Sequence, residues 1–164
     1  MLDETGTTFE ANAVIKAVGA SKNHSGLVVA DDSGLEVDAL NGRLGIFSAR
    51  YAGARATAEE NVKKLLRELR AFPLSDQRTA RFRCVLALAR DGLLLKTFTG
   101  TVEGRISENP RGNAGFGYDP IFIPEGSAQT FGELPAEVKN RISHRAGAVL
   151  ALRQALLRID DKSA

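Results

Sequence analysis

The run RFRCVLALARDGLLLKTFTGTVEGRI, Arg81 to Ile106, holds two apolar stretches, RFRCVLALAR and LLLKTFTGTVEGRI, joined by Asp91-Gly92. Aspartate-glycine between two such runs is a residue pair suited to a two-residue hairpin turn, because both turn positions take positive φ. A long hairpin in the middle of the chain therefore requires a sheet. The segments on either side decide what packs on it.

Upstream, LVVA, Leu27 to Ala30, reads as a short buried strand. GLEVDAL then alternates Leu35, Val37 and Ala39 against Glu36 and Asp38, as a strand with one wet face does. This places Asp31 and Asp32 in a turn through Ser33-Gly34. Thr7 and Glu10 have capping-box spacing, and Phe9, Ala13, Val14, Ala17 and Val18 recur at helical intervals, so a first helix is predicted over about Thr8 to Ser21. Thr57 and Glu60 repeat the capping pattern before a stripe of Val62, Leu65, Leu66 and Leu69 that should end before Pro73. Downstream, a strand over Pro120 to Ile123 follows the glycine-rich NAGFGYD. Ser143 then caps a last helix whose predicted buried face is Val149, Leu150, Leu152, Leu156 and Leu157. The order of elements predicts a mixed α/β domain with helices packed on a sheet.

At 164 residues the chain has the length of a single domain, 1–164, able to bury a real core. A hydrophobic fraction of 43% with 26% charged residues is that of a soluble globular protein, and no apolar run is long enough to span a bilayer. The net charge of +2 is too small for an electrostatic footprint on a nucleic-acid polymer, although Arg78 to Arg83 and Lys139 to Arg145 are clusters suited to a small anion. The lone Cys84 sits in an apolar pattern, reads as a small buried hydrophobe, and fits a reducing compartment. The acidic, polar start MLDETGTTFE is unlike a signal peptide, so a cytoplasmic protein is expected.

Three clusters stand apart from core building. In ADDSG, neighbouring carboxylates repel and need a cation or a hydrogen-bonding shell. Either an Asx-type turn or a hard-cation site answers that need. In NAGFGYDPIF, Gly115 and Gly117 flank Phe116, an arrangement that either offers an aromatic face to a base or plugs the core with Phe116 and Tyr118. Asp119 is either a turn former or an acceptor for a base edge. In KNRISHRAG, His144 and Arg145 fall in the first helical turn, where the helix dipole disfavours cations, so the segment reads either as a place for a bound anion or an acceptor group or as a solvated basic patch with His144 hydrogen-bonded locally. Lys16 and Lys139 add possible phosphate or base partners.

Carboxylates for a metal, an aromatic between glycines and a basic helix start are together the parts of a nucleotide hydrolase. The strings TGTTFEANAVIKA, VVADDSGLEVDALNGRLGIFSARYAG, TARFRCVLALA, GTVEGRI, GFGYDPIF and KNRISHRAGA resemble the inosine triphosphate pyrophosphatase family, in order from about Glu4 to Leu157. The resemblance implies an elongated mixed β-sheet flanked by helices in two lobes, with a nucleotide cleft between them, in a homodimer. It implies Mg2+-dependent hydrolysis of inosine, deoxyinosine or xanthosine triphosphate to the monophosphate and pyrophosphate. Asp32 would be general base and metal ligand, and Glu4 the second metal carboxylate. Ser33 and Lys16 would meet the phosphates. Phe116 would stack on the purine within Phe116-Gly117-Tyr118-Asp119, and Lys139, His144 and Arg145 would read its edge.

Two departures accompany the resemblance. The family's opening strand and phosphate loop have no counterpart ahead of Glu4, so the chain is expected to be truncated at its amino end relative to the family. A start upstream of Met1 is the favoured explanation, and a truncated nucleotide-binding protein without turnover is the alternative. The second departure is Ala11, where the family carries glutamate.

Overall fold

The protein, described here as a computed structural model, is defined over residues 5–160. Its elements run α1 Phe9–Ser21, β1 Val28–Val37, α2 Ala58–Glu68, β2 Thr79–Arg90, β3 Leu93–Ile106, β4 Phe122–Pro124, α3 Ala136–Ile142 and α4 His144–Asp160. The strands form one sheet in the order β1-β2-β3-β4, which makes the protein the mixed α/β fold that the sequence pattern predicts. Asp91 at φ 52° and Gly92 at φ 79° join β2 to β3 through the expected hairpin turn. β4 pairs antiparallel with β3, Gly104 opposite Pro124 and Ile106 opposite Phe122.

One expectation fails in β1. The chain makes no turn at Ser33-Gly34: β1 continues without interruption from Val28 to Val37, and both aspartates lie in mid-strand. Two further expectations shift. The cap of α1 is Thr8 rather than Thr7, its hydroxyl accepting the Ala11 N–H at 3.1 Å, while the Glu10 carboxylate accepts the Thr97 hydroxyl at 2.7 Å. Downstream, Asp119–Ile121 form a 3-10 turn, so the last strand begins at Phe122 instead of Pro120.

The chain divides into two compact units. The first comprises the described residues through Ser33, Arg83–Thr101, and the described residues from Ser143 onward. Here Cys84, Leu86, Leu88 and Phe98 of the hairpin pack against Ala148, Ala151, Leu152, Ala155 and Leu156 of α4. The buried face of α4 is thus partly the predicted one, but Val149, Leu150 and Leu157 are exposed. Small side chains replace them because alanines let the helix axis approach the sheet closely, and Gly100 on β3 faces the α4 backbone at the point of nearest approach. Cys84 is buried as expected, and burial, reinforced by the Asp31 carboxylate, pushes its thiol up to about 11.

The second unit comprises Gly34–Phe82 and Val102–Ile142. Leu35 and Val37 of β1, Leu65 and Leu69 after the predicted α2 cap, and the rings of Phe82, Phe122 and Phe131 make its core. Phe82 and Phe122 lie 4.6 Å apart between centroids, and Phe122 and Phe131 5.3 Å. The capping box of α2 is formed as predicted, with the Glu60 N–H on the Thr57 hydroxyl and the Thr57 N–H on the Glu60 carboxylate. The basic cluster Arg78 to Arg83 is engaged within the protein. Buried Arg78 donates to the carbonyls of Ile106 and Ser107 at 3.0 and 2.9 Å, and Arg81 joins the carboxylates of Asp38 and Glu103.

Candidate functional site

The continuous course of β1 resolves the doubled aspartate. Successive side chains of a strand point to opposite faces, so Asp31 and Asp32 diverge instead of sharing one environment. Each then meets its own cation from a different helix. On one face the Lys16 ammonium donates to Asp32 Oδ1 at 2.9 Å, and Asn12, one turn earlier on α1, donates its Nδ2 to Asp32 Oδ2 at 3.3 Å. On the other face Arg145 of α4 places one guanidinium nitrogen 2.8 Å from Asp31 Oδ2 and 3.4 Å from the Ser33 hydroxyl. Repulsion between the carboxylates is offset by separation and pairing, and an Asx turn plays no part.

The same arrangement accounts for the basic start of α4. Ser143 caps the helix as predicted, accepting the Ala146 N–H at 3.2 Å. Arg145, disfavoured by the dipole at this position, is held by the Asp31 carboxylate. The acceptor that the sequence called for is therefore a protein side chain. His144, expected with Arg145 at a base edge, is buried at 6% exposure. Glu4, the second expected metal carboxylate, lies outside the described residues.

In the second unit the segment from Gly115 to Asp119 forms a compact turn around one carboxylate. Asp119, 2% exposed, accepts the Phe116 N–H at 2.7 Å and forms an ion pair with Lys139 of α3. The Lys139 ammonium also lies 4.5 Å from the centroid of the Phe116 ring, a cation–π arrangement. The ring of Phe116 is 66% exposed, whereas Tyr118 is buried and donates its hydroxyl to the Ser48 carbonyl at 2.7 Å. Tyr118 thus plugs the core, as one of the two readings of this segment has it, while the ring of Phe116 stands open. Burial raises the Tyr118 phenol, so it stays neutral.

Gly115, at φ 78°, is required for this turn: a Cβ there would stand 2.0 Å from Asp119 Oδ2. Left-handed backbone costs an L-residue roughly 1–2 kcal/mol before any clash. Gly115→Ala is therefore expected to lower the melting temperature by about 2–8 °C. Calorimetry checks this, and an unchanged transition would show that the carboxylate moves aside freely.

The structure thus brings Lys16 to Asp32, Arg145 to Asp31 and Ser33, and Lys139 to Asp119 and Phe116. Sequence reasoning missed Asn12, and the signal was its position one helical turn from Lys16. It also missed α3, which carries Lys139 and is only seven residues long. Among the described residues no three His, Cys, Asp or Glu side chains converge as a ready-made metal cage.

Residues 1–155 match the sequence model of the Ham1 family. The chain is 50% identical over 155 residues to the dITP/XTP pyrophosphatase of Bacillus subtilis, covering 94% of this chain and 78% of that protein. It is 49% identical over 156 residues to the dITP/XTP pyrophosphatase of Geobacter sulfurreducens, covering 94% of this chain and 77% of the relative. Among solved structures, the Ham1 protein of Staphylococcus aureus superposes with a TM-score of 0.89 at 45% identity, over 98% of this chain and 81% of that one.

Proposed function

Because the chain belongs to the Ham1 family, we propose that it is a nucleoside triphosphate pyrophosphatase that converts deoxyinosine, inosine and xanthosine triphosphates to the monophosphate and pyrophosphate. Its main support is the half-identity, over nearly the whole chain, to proteins named for hydrolysis of dITP and XTP, with Asp32 held by Lys16 in mid-strand. Removal of such nucleotides cleans the precursor pool.

The donor set at β1 fits a divalent cation of the Mg2+ type. Such an ion keeps several waters and takes one or two carboxylates together with substrate phosphates, so a complete protein cage is not needed. Asp32 would hold it, with Glu4 as the second carboxylate. When bound, the ion neutralises charge on the phosphates.

The remaining chemistry belongs to the chain's own groups. The Asp32 carboxylate accepts a proton from the attacking water. Lys16, whose ammonium already sits 2.9 Å from Asp32 Oδ1, supplies positive charge for the phosphates, and Ser33 supplies a hydroxyl. The open ring of Phe116 takes the purine by stacking. Asp119 and Lys139 fix that ring in place through the Phe116 N–H and the cation–π contact. Gly117 keeps the turn open beside the ring, and a Cβ there would meet no atom within 4 Å. Lys139, His144 and Arg145 remain the groups assigned to the base edge. A 6-oxo purine offers an acceptor to such donors, whereas adenine offers an amino group and leaves them unpaired.

We further assign the protein to the cytoplasm as a homodimer acting on small-molecule nucleotides, with no nucleic-acid polymer and no membrane as partner. A single buried thiol and a net charge of +2 support this reading. No helix among the described residues is long and apolar enough to cross a membrane.

The test is pyrophosphate release from deoxyinosine, xanthosine and deoxyadenosine triphosphates with Mg2+. Turnover of the first two, at least about 100-fold above the third in kcat/KM, is expected. Equal turnover of deoxyadenosine triphosphate would sink the base selection, and binding of inosine monophosphate without any hydrolysis would leave a nucleotide-binding protein in its place.

A further inference from the structure

We propose that Asn12 is a positioning residue whose side-chain amide locks the segment ahead of α1 to the Asp32 carboxylate. This inference rests on the pyrophosphatase reading for its kinetic consequence, though not for its structural one. Asn12 is 1% exposed on a helix whose other buried positions are apolar or small. Burying an amide is unfavourable unless its groups are satisfied, so an alanine like Ala13 or Ala17 would be the simpler occupant of a packing position.

Both ends of the Asn12 amide are used. Oδ1 accepts the Gly6 N–H at 2.9 Å, and Nδ2 donates to Asp32 Oδ2 at 3.3 Å. The two partners have opposite polarity: one is a pure donor, the other an ionised acceptor. They therefore dictate a single orientation of the amide. The contact is close enough to specify glycine on its far side, since a Cβ on Gly6 would lie 2.6 Å from Asn12 Oδ1.

The consequence is mechanical. Asp32 is gripped on one oxygen by Lys16 and on the other by Asn12, so the carboxylate plane is fixed. Lys16 is a candidate phosphate ligand and would be drawn toward incoming phosphates, whereas Asn12 has no charge to be drawn away. It is the grip that persists through turnover.

Amide hydrogen exchange at Gly6, followed by NMR, tests the linkage without reference to activity. Asn12→Ala is expected to speed Gly6 exchange about tenfold. Asp32→Ala touches no atom of Gly6, yet it is expected to speed the same amide several-fold, because Asn12 loses the partner that orients it. Asn12→Asp carries an acceptor on either oxygen, so Gly6 keeps a partner without the orienting bond to Asp32, but it sets an anion against Asp32. It should retain Gly6 protection while kcat for deoxyinosine triphosphate, per folded molecule, falls about 10- to 100-fold with KM within about threefold. Should Asn12→Ala fail to fold, the isosteric Asn12→Asp and the Asp32→Ala comparison still decide. Gly6 exchange indifferent to Asp32→Ala, or full kcat in Asn12→Asp, would overturn the proposal. An inactive wild-type protein would count against the pyrophosphatase reading alone, since the exchange coupling is read without nucleotide.

Discussion

Asp32→Asn is expected to lower kcat for deoxyinosine triphosphate by about three orders of magnitude, with KM changed far less. The substitution is nearly isosteric and leaves the strand intact, so the loss is chemical. A carboxamide does not take the proton of the attacking water, and it offers a cation one neutral oxygen in place of a charged pair. It also strands Lys16, whose ammonium stands 2.9 Å from Asp32 Oδ1 with side chains 26% and 13% exposed. The pair is partly hydrated, and its removal should affect stability much less than turnover. The measurement is pyrophosphate release by both proteins at matched folded fraction. Activity within tenfold of wild type would remove Asp32 from the role of base and leave the neighbouring Asp31, tied to Arg145 on the opposite face, as the carboxylate for that role.

The largest expected effect on stability is at Gly100. A Cβ built there lies 2.0 Å from the His144 carbonyl oxygen, 2.4 Å from the Ala148 nitrogen and 3.0 Å from the Gly147 carbonyl carbon. All three are backbone atoms of α4, so no side chain can rotate away. Relief requires the helix to leave the sheet by roughly 1 Å or more. That shift loosens Ala148 from Cys84, Leu86 and Phe98 and draws Arg145 from Asp31. Gly100→Ala should therefore destabilise by about 3 kcal/mol and lower the melting temperature by about 6–12 °C. Calorimetry of the two proteins decides it, and a transition within a degree of wild type would contradict the close helix–strand contact.

Which elements were legible in the sequence follows from where their specifying forces act. The hairpin was readable because Asp91-Gly92 suits a turn by its own backbone preferences. The start of α2 was readable because Thr57 and Glu60 satisfy each other within one turn. The face of α4 was only half readable: periodicity finds apolar residues, but the sheet selected Ala148, Ala151 and Ala155 over Val149, Leu150 and Leu157 for closeness of approach. At the site, the chemistry-bearing residue types could be named from ADDSG, GFGYD and SHR. Their partners could not.

Local sequence thus determined the α/β class, the hairpin and the capped starts of α2 and α4, because propensity, capping and periodicity act over a few residues, while Asp32, Phe116, Lys139 and Arg145 were named as candidates by residue type and by resemblance. Only the tertiary structure decided that β1 runs straight through Asp31 and Asp32. There separate helices bring Lys16 and Asn12 to one face and Arg145 to the other, so each carboxylate has its own partners. Arg145 lies 114 positions from Asp31 along the chain. No local rule carries that distance, and the pairing exists because the packed core holds α1 and α4 against the strand.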